Sequence, residues 1–319
     1  MKDITIEQFL ATDFIVREKP ILAPFHGSFV VADPSLLKPE ESVDNKWHMF
    51  FHTTFGVFHF ASTNGVDFVK VQKIAKRAMR PNINKIGDTY YLYFERTRTL
   101  LANALNFVNL AKWRSKIFVV KSKDLINWSK PQPVITKAHG LEDSERGSSI
   151  SNPFLLKVGD KYRLYFSSGL TFIKDCNFCE PTYICYAESD KPDRDFVVNE
   201  KPILSPDKND PYLNLCSGCL KVYRLKDGYL GVQNGLYEKD GRSHSAILAL
   251  TSTDGLNYKF AKVLIEPNEA DESSWMHQFV YASHLIRVGD KLRIYFNARD
   301  VAESIKGREC IGFAEADIK

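Results

Sequence analysis

At 319 residues the chain is long enough for one large all-β domain or two average ones, with a substantial buried core. Hydrophobic residues at 44% and charged residues at 26% exclude a disordered or fibrous chain, and a net charge of +4 is too small and too scattered to argue for nucleic acid. No run approaches the ~20 apolar residues of a membrane span, and the opening MKDITIEQFLATDF has no apolar run of signal-peptide length, so a cytoplasmic protein with six reduced cysteines is expected.

In chain order the first strand-like phrase is Glu18–Leu22, EKPIL, which returns unchanged at Glu200–Leu204. A unit of four short strands then begins at Ala32: ADPSLL, the phrase DNKWHMFFH over Asp44–His52, HFASTNGVDF and KVQKIA. The central phrase is a polar two-residue turn followed by alternating aromatic and aliphatic residues, a hairpin signal. It recurs as IGDTYYLYF (Ile86–Phe94), VGDKYRLYF (Val158–Phe166), LKDGYLGVQ (Leu225–Gln233) and VGDKLRIYF (Val288–Phe296). Each copy has a short apolar strand before it, starting near Arg80, Ser151, Ser217 and Ala282, and a third strand after it. Three further edge-like strands, KPQPVIT, EKPILS and AKVLIE, complete all but the last unit, and proline suits such an outer position.

Five units of four strands predict an all-β fold, a five-bladed β-propeller occupying residues 1–319 as a single domain. The last unit ends at IGFAEADIK without a fourth strand, and the N-terminal EKPIL is expected to supply it and close the ring. Thr99–Trp113 interrupts the second unit with Leu101, Leu105 and Val108 at helical spacing, which predicts a helix packed on a blade or partly covering the channel mouth.

In such a blade the start of the innermost strand and the end of the second meet at one mouth. The first set is Asp33, Arg80, Asn152, Ser217 or Gly218, and Ser283; the second is His52, Glu95, Ser167, Asn234 and Asn297. Two polar rings at the narrow end of a propeller suit a ligand rich in hydroxyls.

VADPSLL followed by WHMFFHT, the SxDGxxF turns and the SNPFLLKVGDKYRLYFSSG stretch resemble the five-bladed glycoside hydrolases of families 32, 43, 68 and 117 (arabinanase, levansucrase and invertase types) and the phosphorolytic family 130. The resemblance implies that Asp33, in Asp33–Pro34, is the nucleophile or general base of a glycosidase, or the acid of a phosphorylase. It also implies a carbohydrate substrate, with phosphate as co-substrate in the phosphorolytic case; no nucleic-acid or membrane partner and no cofactor are expected. The chain departs from the hydrolase pattern at Arg80–Pro81–Asn82 and Asn152–Pro153, where inner strands carry no carboxylate. Glycoside hydrolysis ordinarily needs two carboxyl groups. Glu180, before strand three of the third unit, and Glu145, in SERGSSISNP, are equal candidates for the second; Glu95 and Asp271 or Glu272 are further ones. Arg80, Asn82, Glu95, Arg96, Arg146, Asn152, Trp275, His277 and Asn297 are the expected substrate-binding residues, with Arg98, His52, His284 and Tyr281 near the mouth. A non-catalytic carbohydrate-binding propeller is the alternative.

Cys176-x-x-Cys179 and Cys216-x-x-Cys219 spell two metal-ligand pairs, and a Cys₄ zinc site is one reading; calcium is the other ion considered. Against zinc, the pairs are 36 residues apart and Cys216 and Cys219 would face opposite sides of a strand, so buried free thiols are the expectation.

Overall fold

The recurring turn-and-strand phrase builds the second strand of each of five antiparallel sheets, and its alternate aromatics fill the spaces between neighbouring sheets. Phe50, Phe51, Phe94, Tyr165, Phe166, Tyr295 and Phe296 are all fully buried there. The computed structural model describes residues 1–99 and 111–318, and its sheets are five blades of a ring. Strands are named A to D from the axis outward. Blade one is Ala32–Leu37, Trp47–Thr53, Gly56–Ser62 and Val69–Ala75. Blade two is Ala78–Ile86, Thr89–Thr97, Trp113–Ser122 and Gln132–Ile135. Blade three is Ile150–Val158, Lys161–Ser168, Tyr183–Ser189 and Val197–Val198. Blade four is Cys216–Arg224, Tyr229–Lys239, Arg242–Ser252 and Lys259–Ile265. Blade five has Phe279–Val288, Lys291–Arg299 and Glu309–Asp317, with Ile15–Val16 as its outermost strand.

The N-terminus therefore closes the ring, and it does so as a copy of strand D of blade three. Ile15 and Val16 pair with Glu315 and Ala314, as Val197 and Val198 pair with Glu188 and Ala187. After a break, the Ile21 amide donates to the Ile311 carbonyl and the Ile203 amide to the Ile184 carbonyl. Leu22 bridges to Ile311 as Leu204 bridges to Ile184. EKPIL is thus the second half of a broken strand in both places, with the proline at the break, where no ladder donor is required. Strand D is therefore earlier and more interrupted than the sequence phrase alone implies.

Of the segment Thr99–Trp113 read as helical, residues 100–110 lie outside the described residues; Trp113 itself opens strand C of blade two.

All five A–B ladders lose register near the mouth. The breaks fall between Ala32 and Ser35, Met79 and Asn82, Ser151 and Phe154, Cys216 and Cys219, and Val280 and Ser283. Each is a β-bulge, which bends the strand and re-aims a side chain. Within four of them a residue takes the left-handed conformation: Asp33 (φ 56°), Arg80 (φ 54°), Asn152 (φ 48°) and Gly218 (φ 58°). For three of these a side chain accepts a backbone that favours glycine, the kind of strain that clusters at working sites.

Candidate functional site

These bulges open onto a cavity of about 440 Å³ at the mouth, lined among others by Asp33, His52, Arg80, Asn152, Glu180, Gly218, Asn234, Tyr281, Asn297, Arg299 and Glu309. The polar mouth expected from the sequence is there, with two corrections. In blade five the bulge displaces the position, so Tyr281 and Ala282 face the cavity and Ser283 does not. In blade three Ser167 turns away and donates to the Gly218 carbonyl at 2.7 Å.

Asp33 is held from two sides. Its amide donates to Asn297 Oδ1 at 3.0 Å, and its Oδ2 lies 3.2 Å from His52 Nδ1. Burial pushes its carboxyl up, but the hydrogen bond from His52 and the charges of His52, Arg80 and Lys221 outweigh that, and it lies below its ordinary value. Glu180 goes the other way. It ends a two-stranded ribbon, Thr171–Ile173 with Phe178–Glu180, that forms the B–C connection of blade three. Among the described residues no hydrogen bond or ion pair holds its carboxyl, which is enclosed by protein yet faces the cavity. Burial, with Glu309 and Asp33 adding repulsion against the pull of Arg80 and Arg299, pushes it up to about 7.

Two buried ion pairs frame these carboxyls. Arg80 Nη1 meets Glu95 Oε2 at 2.6 Å, and Trp113 Nε1 donates to the other Glu95 oxygen at 2.9 Å. Glu95 is fully buried behind Arg80 and does not line the cavity. On the far side Arg299 Nη2 lies 3.2 Å from Glu309 Oε2, and Asn297 Nδ2 donates to the other Glu309 oxygen. Glu309 is raised by burial. Lys221, a buried cation on strand A of blade four, is lowered by burial.

The remaining expected binding residues scatter. Glu145 is exposed and lines no part of the cavity; its hairpin joins the mouth end of blade two rather than entering the channel. Asn82 is buried between inner strands and accepts the Leu155 amide at 3.0 Å. Arg96 lies over the Phe118 ring and Arg146 over Phe172, so of the arginines expected to converge only Arg80 reaches the cavity. Trp275 packs on Phe296 and against Gly312, whose hydrogen leaves the only room for the indole. His277 lies outside the cavity, near the Asn268 carbonyl. Asp271 and Glu272 are exposed.

Glu309, Arg299, Trp113 and Phe178 were not foreseen as site residues. Glu309 opens strand C of the last blade, as Glu180 lies three residues before that strand in the third; this near-equivalent placement was the available signal.

Cys176 and Cys219 line the cavity, and Cys176 and Cys216 share one apolar cluster. All six cysteines are buried and unbridged. Among the described residues no group of three or more His, Cys, Asp or Glu side chains is placed to hold a metal ion, so the two pairs do not make the tetrahedral set considered from their spacing. Burial pushes the Cys176 thiol up to about 12 and that of Cys219 to about 11.

No protein-family model and no curated protein matches the sequence. Solved structures match it by fold over nearly the whole length. An N-acetylgalactosamine deacetylase from F. plautii, in complex with blood group B trisaccharide, superposes with a TM-score of 0.65 at 14% identity, covering 96% of this chain and 95% of that one. A β-1,2-mannobiose phosphorylase from Listeria innocua gives 0.64 at 13% identity, covering 97% of each chain. An exo-1,5-α-L-arabinanase from a bovine ruminal metagenomic library gives 0.61 at 13% identity, covering 93% of this chain and 94% of that one. At such identities the likeness shows a shared five-bladed fold.

Proposed function

We propose that the protein is a glycosidase that cleaves a glycosidic bond in the cavity at the propeller mouth. One observation carries this reading: two carboxyl groups in one cavity have been pushed apart, Asp33 below its ordinary value and Glu180 up to about 7. A pair so separated assigns its own roles. Glu180, which keeps its proton up to about pH 7 and has no partner among the described residues, protonates the departing glycosidic oxygen. Asp33, ionised and fixed by His52 and the Asn297 side chain, either attacks the anomeric carbon or activates the water that does. Asn152, Asn234 and Tyr281 offer hydrogen bonds to sugar hydroxyls, and Trp113 and Phe178 give the cavity apolar walls.

Phosphate transfer is less well supported, because Arg80 and Arg299 are already committed to Glu95 and Glu309. A purely sugar-binding role gives no reason to keep a carboxyl with no partner among the described residues beside two others at a cost in stability. Asp33→Asn tests the reading. On a panel of aryl glycosides and oligosaccharides it should abolish turnover by roughly 10³-fold or more while calorimetric binding of the same saccharide persists. A parent protein that turns over nothing on that panel but binds sugar as tightly as the variant would leave only the binding role.

A further inference from the structure

Beside the mouth, on the flank of blade two, lies a second concavity of about 840 Å³. Its lining holds six cations, Arg77, Arg96, Arg98, Lys112, Arg114 and Lys116, against one carboxylate, Asp143. None of the six makes an ion pair with a described residue, and residues 100–110, which join the two halves of the cluster in sequence, contain no acid. Arg98, Lys112, Arg114 and Lys116 are exposed. Arg96 lies over the Phe118 ring, and its basicity is lowered by burial and by the neighbouring Arg77. Backbone pairing fixes the wall that faces this cluster. The far wall is the hairpin of Asp143–Ser144 and Gly147–Ser148, bound in parallel to Trp113 and Arg114. Gly147 takes φ 130° there, and a Cβ on it would fall 2.1 Å from the Trp113 carbonyl oxygen. Like charges brought together in a walled groove repel one another and are stabilised by an anionic guest.

The same strand start connects groove and cavity. Along Trp113–Ser122, Trp113 faces the cavity while Arg114 and Lys116 face the groove. On the opposing strand, Glu95 backs the cavity while Arg96 and Arg98 face the groove. Adjacent residues at the mouth end of this strand thus open on the cavity from one face of blade two and on the groove from the other, so a glycan leaving the cavity over that strand end meets the guanidinium groups of the groove. A nucleic-acid duplex, by contrast, is held by cations spread along a stripe that follows its phosphates; here they converge on one hollow.

We propose that this groove is a saccharide subsite for an acidic sugar, a uronate or a sulfated residue, and that the substrate is an anionic glycan reaching from the cavity across blade two. The path of the chain rests on the glycosidase reading; the charge preference of the groove does not.

Calorimetry at low and high salt on the full chain tests it, with an oligogalacturonide, a sulfated galactan oligosaccharide and a neutral galactan oligosaccharide of equal length as probes. At least one acidic probe should bind roughly tenfold or more tighter than the neutral one. The triple variant Arg96→Gln/Arg114→Gln/Lys116→Gln should remove most of that advantage and of its salt dependence, because charge-assisted contacts are lost. The control Arg96→Lys/Arg114→Lys, which keeps the charge, should retain the preference for acidic over neutral probes. Which acidic probe binds separates carboxylate from sulfate. Equal affinity for acidic and neutral probes, an unchanged preference in the triple variant, or displacement of every acidic probe by equimolar inorganic sulfate or by a short duplex DNA would each overturn the assignment. Because binding is the readout, it stands or falls separately from turnover: acidic binding without cleavage of any glycan would keep the groove and remove the glycosidase.

Discussion

His52 Nδ1 stands 3.2 Å from Asp33 Oδ2 and 3.3 Å from the Arg80 amide nitrogen. One nitrogen cannot both accept from the amide and donate to the carboxylate. Donation to the carboxylate joins a donor to a charged, buried acceptor and is the stronger of the two. That contact helps hold Asp33 below its ordinary value, while Glu180, in the same enclosure, is pushed up to about 7.

Removing the donor should therefore be visible in the acid limb of the pH–rate profile. Asp33 lies below its ordinary 3.8, so it stays ionised through mildly acidic pH. His52→Gln weakens the leading opposition to burial, raises the Asp33 value and moves the acid limb of kcat/KM to higher pH. Lys221→Met removes the smallest of the charges acting on Asp33 and should move it in the same direction by less. A limb that moves as far in Lys221→Met as in His52→Gln would contradict this ranking.

The basic limb belongs to Glu180. Its proton is lost near pH 7, so turnover should fall as pH rises through that value. Glu309 is one of the charges holding it there. Glu309→Gln should bring the basic limb down to lower pH, read from the same profile with a substrate that has no titratable group of its own.

Glu180 also makes a stability prediction whose sign is fixed. Its folded value, about 7, is above the ordinary 4.5, so below about pH 4.5 it is protonated in both states and costs nothing through ionisation. As pH rises through 7 the unfolded chain gives up the proton easily and the folded one does so against burial, so the folded state loses ground. The shift corresponds to about 3 kcal/mol at its fullest. Glu180→Gln should thus be more stable than the parent in urea unfolding at pH 8 and match it at pH 4, while losing activity at both. Equal stabilities at pH 8 would mean that Glu180 ionises freely in the fold.

Much of this was legible in the chain because blades repeat. The alternation in IGDTYYLYF and its copies fixes strand B, and the doubled EKPIL marks a shared outer position. X-Pro at Asp33, Arg80 and Asn152 marks three of the bulges, since proline can be spared only where the ladder is already broken. What lay beyond reach was set by loops. Glu180 and Glu145 look alike in sequence, and only the folding back of the Thr171–Glu180 ribbon carries one inward while the other remains on a surface hairpin. Trp275 reads as a substrate-binding residue until Gly312 is seen to leave it a slot in the core. Ser283 misses the mouth because the bulge in blade five presents Tyr281 and Ala282 there.

Ring closure itself can be tested at the N-terminus. The short helix Ile6–Leu10, capped by Thr5, seats Phe9 at 1% exposure in the core beneath blades four and five, and the chain then runs along Glu309–Asp317 as the outer strand. Phe9→Ala should cost about 3–5 kcal/mol, measured by urea unfolding. Deleting residues 1–22 does more: it also strips the last blade of its outer strand and leaves Ile311 and Phe313 on an open edge, a ready template for pairing with another chain. The truncated protein should unfold at a much lower temperature and self-associate on a sizing column. A monomeric truncation with unchanged melting would show that blade five does not need the N-terminal strand, and the closure described above would have to be abandoned.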